Sequence, residues 1–305
     1  MSIAVAAATS AVAQPSPMPS EIAARLLEIG RAIDPEKTAP LYAPLQEKEP
    51  YTGVKVSRDI KYGPADRHLL DVFVPEGAVG ARPVLIFVHG GAFVRGNKRT
   101  PGNPFYDNIM LWAAKNDIVG VNVTYRLAPQ HPWPAGAEDV GAAVRYVADN
   151  IAGHGGDPAR VVLMGHSAGA THVATYVAFP QFHGPKGLAL SGAIMTSGIY
   201  DLTSAGMSDG GRAYFGDNPA RYAERSAQTG LLKSTIPLML TAAELDPPQF
   251  VKQFEAIKDI FCKSERGCAR TMLLPQHSHM SETYSINTDD TRLTSQILEF
   301  MTAGR

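Results

Sequence analysis

Short apolar runs alternate with helical patterns along most of this 305-residue chain, and this alternation constrains the fold more than any other feature. Runs of three to six apolar residues are typical of strands that are buried on both faces of a parallel sheet. The runs lie at 84–88, 118–123, 161–164, 193–196, 238–240 and 271–274, and the helical patterns between them at 109–114, 140–151, 170–179 and 250–261. Strands and helices in this order predict an α/β fold with a mostly parallel sheet and helices on both faces.

The chain before the first buried run has a different pattern. Residues 54–62 largely alternate apolar with polar side chains, and 69–74 follow after a turn-like Gly-Pro-Ala-Asp, which predicts an antiparallel pair and a sheet of eight strands. Apolar residues from Ile22 to Ile33 recur at helical spacing, so we expect a small helical cap segment over 20–52 and a main domain over 53–305.

Residues 1–19 are interpreted as a signal-peptide remnant and a Pro-rich linker. Small apolar residues end in Ala-Val-Ala at 11–13, which is typical of a signal cleavage site, although the positive region that usually precedes one is missing. The sequence therefore favours export to the periplasm or medium, with a cytoplasmic location as the alternative. No apolar run approaches the roughly 18 residues of a membrane span, so we expect no stable membrane insertion.

The charge balance and the cysteine content limit which binding partners and cofactors the chain is expected to have. The chain has 28 basic and 29 acidic residues, a balance that favours neither nucleic acid nor an anionic surface and points to a small-molecule substrate. The two cysteines, Cys262 and Cys268, flank a polar insert that could close a disulfide loop in an exported protein; two free thiols are the cytosolic alternative. Neither the cysteines nor the histidines have metal-ligand spacing, so no metal and no cofactor are expected.

The pentapeptide Gly165-His-Ser-Ala-Gly169 lies between a buried run and a helical pattern. This strand–turn–helix context is what a nucleophile elbow requires, because the glycines allow the sharp turn that exposes the Ser167 hydroxyl. The helix after it directs its first amides towards developing negative charge. Ser167 is therefore the predicted catalytic nucleophile.

A second glycine-rich segment, His89-Gly-Gly-Ala-Phe93, directly follows the run 84–88. Acyl transfer needs backbone amides that point at a tetrahedral oxyanion, and such a loop can supply them. The predicted oxyanion-hole donors are Gly90, Gly91 and Ala168. We expect His89 to shape the loop rather than to act in catalysis.

In a fold with this elbow, the acid and the histidine follow the serine along the chain. Two carboxylates come after the run 238–240, and Asp246 is favoured over Glu244 because two prolines follow it in a rigid loop. Asp201 is a weaker alternative.

Only His277 and His279 lie beyond these carboxylates, and one of them is the predicted general base. The residues alone leave both open.

These motifs together resemble the bacterial carboxylesterases of the α/β-hydrolase superfamily, close to the hormone-sensitive-lipase-like and feruloyl-esterase-like enzymes. The resemblance extends from about Tyr62 to Phe300 and includes Tyr-Arg-Leu-Ala-Pro at 125–129, Pro-Trp-Pro at 132–134 and Gly-Gly-Asp-Pro at 155–158. It implies that His279 is the base and that Arg126 and Asp139 are structural. Ala92 departs from the third glycine of the lipase-like branch, which puts the substrate range in question but not the mechanism.

The resemblance implies hydrolysis of carboxylic esters, with short acyl groups as the default, through a Ser167, Asp246 and His279 triad. An arylformamidase or amidase on the same scaffold and a non-catalytic binding module are the alternatives, and a peptidase is a weaker one. We expect the long segment 200–232 to form a lid or binding loop and, with the segment 20–52, to shape the pocket. The sequence does not indicate an oligomeric state.

Overall fold

The computed structural model describes residues 15–77 and 80–303. Eight strands form one sheet in the order β1-β2-β4-β3-β5-β6-β7-β8. Strand β2 pairs antiparallel with both β1 and β4, and every other neighbouring pair is parallel. The strands are β1 Val54–Lys61, β2 Leu69–Pro75, β3 Arg82–Val88, β4 Val119–Val123, β5 Gly156–His166, β6 Gly192–Thr196, β7 Leu238–Leu245 and β8 Arg270–Ser278. The predicted eight-stranded, mostly parallel sheet is confirmed.

Eleven α-helices accompany the sheet within the described residues. They are α1 Ser20–Ile29, α2 Pro35–Tyr42, α3 Asp107–Lys115, α4 Ala135–Asn150, α5 Ala168–Ala178, α6 Asp209–Phe215, α7 Tyr222–Arg225, α8 Gln228–Lys233, α9 Pro248–Lys263, α10 Ser281–Tyr284 and α11 Arg292–Thr302.

The core lies on both faces of the sheet. Alternate side chains of β3 divide between the faces: Val84, Ile86 and Val88 join one apolar cluster, and Leu85 and Phe87 join the other. Helices α4, α5 and α9 cover the first face, and α3 and α11 cover the second. Because every residue of β3 is buried, this strand appears in the sequence as a continuous apolar run rather than an alternating one.

The helical spacing between Ile22 and Ile33 indicated one helix before the sheet, and the segment 20–52 forms two helices. The chain leaves α1 at Gly30, which has a φ of 73°, and α2 begins after Asp34, whose side chain accepts a hydrogen bond from the amide of Lys37. The two helices pack around Leu26 and Tyr42. The domain boundary at residue 53 stays a prediction, and the signal-peptide interpretation of residues 1–14 lies outside the described residues.

Several helices of the structure were not predicted from the sequence. Three short helices, α6 to α8, occupy the segment that was predicted only as a long loop, and α11 follows the last strand. Their apolar patterns span too few turns for a clear periodicity, except in α11, where Leu293 and Ile297 face the core.

A disulfide joins Cys262 near the end of α9 to Cys268 in the loop before β8, which confirms the predicted pairing. Among the described residues, no helix has the length and apolar content needed to cross a membrane.

Candidate active site

Ser167 lies at the sharp turn between β5 and α5. Its φ of 56° and ψ of −121° are unusual for a residue with a side chain, and its amide is held by a 2.9 Å hydrogen bond to the carbonyl of Thr196 on β6. The turn is tight enough that a Cβ on Gly169 would lie 2.1 Å from the carbonyl oxygen of Val88. Glycine is therefore required there, and the strained turn projects the Ser167 hydroxyl from the carboxyl edge of the sheet.

The amides of Gly90 and Gly91 donate no hydrogen bond to any residue in the described part of the chain. Gly91 has a φ of 128°, and a Cβ on it would lie 2.0 Å from the carbonyl oxygen of Arg95. Ala168 is the first residue of α5, where an amide has no partner within the helix. The three predicted oxyanion donors therefore all border the cavity at Ser167 with amides free to bind an anion.

Asp246 contacts His279 directly. The Nδ1 atom of His279 donates to the Oδ1 atom of Asp246 over 2.6 Å. The other carboxylate oxygen, Oδ2, accepts from the hydroxyl of Ser197 at 2.7 Å and from the amide of Ala243 at 2.9 Å. This arrangement places the hydrogen of a neutral His279 on Nδ1 and leaves the lone pair on Nε2, which has no partner among the described residues and borders the same cavity as Ser167.

The two alternative acids lie elsewhere. Glu244 is exposed, and its carboxylate accepts from the amide of Gln276. Asp201 caps its own turn by accepting from Thr203. Of the three predicted carboxylates, the structure brings only Asp246 to a histidine.

His277 is buried and, unlike His279, does not border the cavity. Its Nε2 atom lies 3.0 Å from Asp290 and its Nδ1 atom 3.1 Å from the hydroxyl of Ser281. Although burial opposes it, hydrogen bonds from His277 and Arg292 hold the pKa of Asp290 below its ordinary value. This cluster fixes the loop that carries His279.

Two other buried histidines, His89 and His166, stabilise the site through hydrogen bonds while their rings are neutral. His89 donates from Nδ1 to the carbonyl of Gly90 at 2.6 Å, and burial lowers its pKa to about 3. His166 donates from Nε2 to the carbonyl of His279 at 2.9 Å. Burial, and then the neighbouring His279, holds the pKa of His166 well below its ordinary value. Both rings are therefore neutral hydrogen-bond donors near neutral pH.

The half-buried Arg126 and the buried Asp139 form an ion pair outside the cavity. The guanidinium of Arg126 contacts both carboxylate oxygens of Asp139, which also accepts from the Arg126 amide at 2.7 Å. His68 lies 2.9 Å from the same carboxylate. The pair joins the loop after β4 to α4 and does not border the cavity, in keeping with the structural role that the resemblance implied.

A cavity of about 420 Å³ opens beside Ser167. Most of its walls are apolar, and the segment 199–215 and the turn between α1 and α2 supply much of them. Arg95 is the one Lys, Arg, Asp or Glu side chain that borders it, and its guanidinium makes no hydrogen bond or ion pair within residues 15–77 and 80–303. As expected, the segments 20–52 and 200–232 both contribute walls, through Ile33, Met207 and Phe215. Tyr106 and Phe250 are further wall residues that were not predicted.

Sequence and structure comparisons place these features among known proteins. The family model described as BD-FAE matches residues 70–186, and a model described as a protein of unknown function (DUF1749) matches 135–248. The esterase LipQ of Mycobacterium tuberculosis is 34% identical over an alignment of 204 residues that covers 63% of this chain and 47% of LipQ. A protein named probable carboxylesterase 13 from Arabidopsis thaliana is 35% identical over 161 residues, 47% of this chain and 48% of that protein. The chain thus spans less than half the length of these relatives.

Solved esterases share the fold. A hyperthermophilic esterase from the archaeon Pyrobaculum calidifontis superposes with a TM-score of 0.69 at 21% identity, covering 94% of this chain and 99% of that one. Esterase B from Lactobacillus rhamnosis gives a TM-score of 0.71 at 17% identity, covering 93% and 95%. The chain therefore has the α/β-hydrolase fold of these solved esterases, as its motifs indicated, and its sequence is similar to those of the named esterases.

Proposed function

We propose that the protein is a carboxylesterase-type serine hydrolase that cleaves small carboxylic esters through an acyl-enzyme intermediate. The observation that carries the proposal is the His279 and Asp246 hydrogen bond at the edge of the cavity that also contains Ser167. Esterase names among the relatives agree with it.

In this mechanism, Nε2 of His279 takes the Ser167 proton, and the serine oxygen attacks the ester carbonyl. The amides of Gly90, Gly91 and Ala168 stabilise the oxyanion, and the protonated His279 then gives its proton to the leaving alcohol. A water molecule, activated by His279, hydrolyses the acyl-enzyme in the same way. Asp246 holds the ring in the tautomer that this requires and stabilises its charged form.

The cavity favours short acyl groups. At about 420 Å³ it is near the lower end of ligand sites, and Phe215, Phe250 and Met207 form part of its apolar walls. We expect p-nitrophenyl acetate and butyrate to be hydrolysed with higher kcat/KM than octanoate and longer esters.

Hydrolysis of a p-nitrophenyl ester series by the purified protein, with Ser167→Ala as the blank, tests the proposal. A fluorophosphonate adduct on Ser167 is the second measurement. Equal rates for wild type and Ser167→Ala, together with no adduct on the folded protein, would overturn it. Faster turnover of N-formyl aromatic amines than of any ester would move the activity to an arylformamidase or amidase.

We also infer that the protein works in an oxidising compartment. The Cys262 and Cys268 disulfide supports this, because cytosolic thiols are kept reduced. Fractionation of the producing cells, followed by thiol labelling of each fraction, tests the inference. Recovery of the protein only from the cytosol with two free thiols would exclude it.

A further inference from the structure

Behind the Asp246 carboxylate lies a second buried carboxyl group, that of Glu282 on α10. The hydroxyl of Ser197 joins the two: its Oγ atom is 2.7 Å from Oδ2 of Asp246 and 2.5 Å from Oε2 of Glu282. The other Glu282 oxygen, Oε1, accepts from the hydroxyl of Thr241 on β7. None of these four side chains is more than 1% exposed, so they are shielded from bulk water.

The hydrogens available to the row of hydrogen-bonded side chains Asp246, Ser197 and Glu282 can be counted. A serine hydroxyl carries one hydrogen and two lone pairs, whereas an ionised carboxylate only accepts. Ser197 lies within hydrogen-bond distance of both carboxyl groups and can donate to just one of them. The contact with the other therefore needs a hydrogen on that carboxyl group, because two lone pairs at this distance would repel each other.

The hydrogen belongs on Glu282. Asp246 already accepts from His279 at Oδ1 and from the Ala243 amide at Oδ2, so its ionised form is well supported. Glu282 has only Thr241 besides Ser197. Burial, and then the charge of Asp246, raises the pKa of Glu282 to about 8, which agrees with the count.

We propose that Glu282 is a positioning residue for the hydrolase reaction: as a neutral acid it donates to Ser197, which donates to Asp246 and fixes that carboxylate against His279. The inference rests on the proposed function, since it assigns a role through Asp246 and His279. Glu282 does not border the cavity and touches no substrate.

The groups that face Glu282 come from several elements. The titratable ones are Asp246, from the loop after β7, and Tyr200, from the loop after β6, and burial raises the pKa of Tyr200 far above its ordinary value, so it stays neutral. His279 lies beyond Asp246. The Arg31 guanidinium donates to the backbone carbonyl of Asp246 at 3.1 Å and does not reach either carboxylate within hydrogen-bond distance. Above pH 8, Glu282 would therefore become a second buried anion, and Ser197 could no longer donate to one acid while accepting from the other.

The test compares Glu282→Gln with Glu282→Ala by kcat and KM on p-nitrophenyl acetate from pH 6 to 10. Glutamine reproduces the neutral acid, because its amide nitrogen donates to Ser197 and its oxygen accepts from Thr241, so kcat near pH 7 stays within about threefold of wild type. Wild-type kcat falls above pH 8, and that of Glu282→Gln does not. Glu282→Ala lowers kcat about 10-fold to 100-fold with KM changed less than about threefold.

Infrared difference spectra report the protonation of Glu282 directly, so a change in packing alone would not produce the expected signal. Wild type at pH 6 shows a protonated-carboxyl C=O band that is lost with a midpoint near pH 8 and is absent from Glu282→Gln. Glu244→Gln is the matched control: it removes a carboxyl group two residues before Asp246 that does not contact His279, and we expect wild-type kcat and pH profile from it.

The proposal is overturned if Glu282→Gln loses kcat above pH 8 with the wild-type midpoint, or if the band persists in that variant. If Glu282→Ala does not fold, the two measurements on Glu282→Gln still test the proposal. A failure of the proposed function looks different: wild type would then neither turn over esters nor label at Ser167, whatever Glu282 does.

Discussion

The Nδ1 atom of His279 lies 2.6 Å from the Oδ1 atom of Asp246, and neither side chain is more than 1% exposed. Two features of the fold produce this contact. The carboxyl ends of the adjacent parallel strands β7 and β8 meet at one edge of the sheet, and the loops that follow them carry the two residues. When His279 takes a proton in the proposed reaction, the Asp246 carboxylate stabilises its charge strongly, because little water screens the two groups.

Replacing Asp246 by asparagine should therefore nearly abolish turnover. An amide in this position does not stabilise the charged imidazole and favours the wrong tautomer, so we expect kcat to fall by about 10⁴-fold with little change in KM. Steady-state kinetics on p-nitrophenyl acetate measure it. The exposed neighbour variant Glu244→Gln should stay within about twofold of wild type. The reverse result would reassign the acid to Glu244.

The two neighbouring histidines should separate by phenotype. His279→Ala should remove turnover, and because it also takes the Nδ1 donor from the buried Asp246 carboxylate, activity rather than stability identifies the base. His277→Ala breaks buried hydrogen bonds to Asp290 and Ser281, so it should lower the free energy of unfolding by roughly 2–4 kcal/mol. Urea denaturation and fluorophosphonate labelling at Ser167 distinguish the two. An inactive His277→Ala of normal stability beside an active His279→Ala would contradict this assignment.

The glycine-rich segment 89–93, which carries two of the proposed oxyanion donors, should not tolerate a side chain at position 91. A Cβ on Gly91 would lie 2.0 Å from the carbonyl of Arg95 at a φ of 128°, so Gly91→Ala must shift the loop amides. We expect kcat to fall about 10²-fold in Gly91→Ala. Ala92→Gly is the control, because Ala92 has a φ of 50° that glycine adopts without strain, and it should keep wild-type kcat on the acetate ester. Equal activity of both variants would remove the amide of Gly91 from the oxyanion hole.

Glu282 should give the stability of the protein a distinct pH dependence. Its pKa is raised in the folded state, so between the ordinary carboxyl range and pH 8 the folded protein holds one proton more than the unfolded chain. The free energy of unfolding therefore falls as pH rises through that window and levels off above pH 8. Urea denaturation at pH 5, 6, 7 and 8 should show this loss in wild type and a smaller one in Glu282→Gln. Parallel curves for the two proteins would refute the assignment.

Arg95 should favour esters that carry an anionic group. It borders the cavity, makes no ion pair among the described residues, and is accompanied there by no Asp or Glu. Because the side chain is exposed, its contribution should be modest: Arg95→Gln should lower kcat/KM for a p-nitrophenyl hemisuccinate about two- to fivefold and leave the acetate ester unchanged. Equal loss on both esters would indicate a loop effect instead of charge.

The sequence was most informative where one local requirement has few solutions. The glycines at 165 and 169 have no substitute in so tight a turn, and β3 is buried on both faces, so the elbow and the strands were predictable. The preference for Asp246 over Glu244 followed from its rigid loop. The choice of His279 came from the family resemblance, since nothing local separates it from His277.

Other features depend on contacts between distant segments. Ser197 and Glu282 are 85 residues apart and no motif pairs them, so their hydrogen bond could not be predicted. That the segments 20–52 and 200–232 shape the pocket was expected, whereas the individual wall residues Ile33 and Phe215 were not, because they lie on short helices and turns whose patterns are too brief to place them. A residue such as Glu282 is conspicuous only as a buried carboxyl group, which requires the fold.

The two helices before the sheet have a consequence for how such enzymes can diversify. Ile33 and Pro35 at the turn between α1 and α2 border the cavity, whereas Ser167, Asp246 and His279, the proposed nucleophile, acid and base, all lie at the carboxyl edge of the sheet. An exchange of this N-terminal segment for one of another sequence would alter which esters enter while leaving the reacting groups on an unchanged sheet. Selection for a new substrate and selection for the bond-breaking steps can therefore act on separate stretches of the same gene.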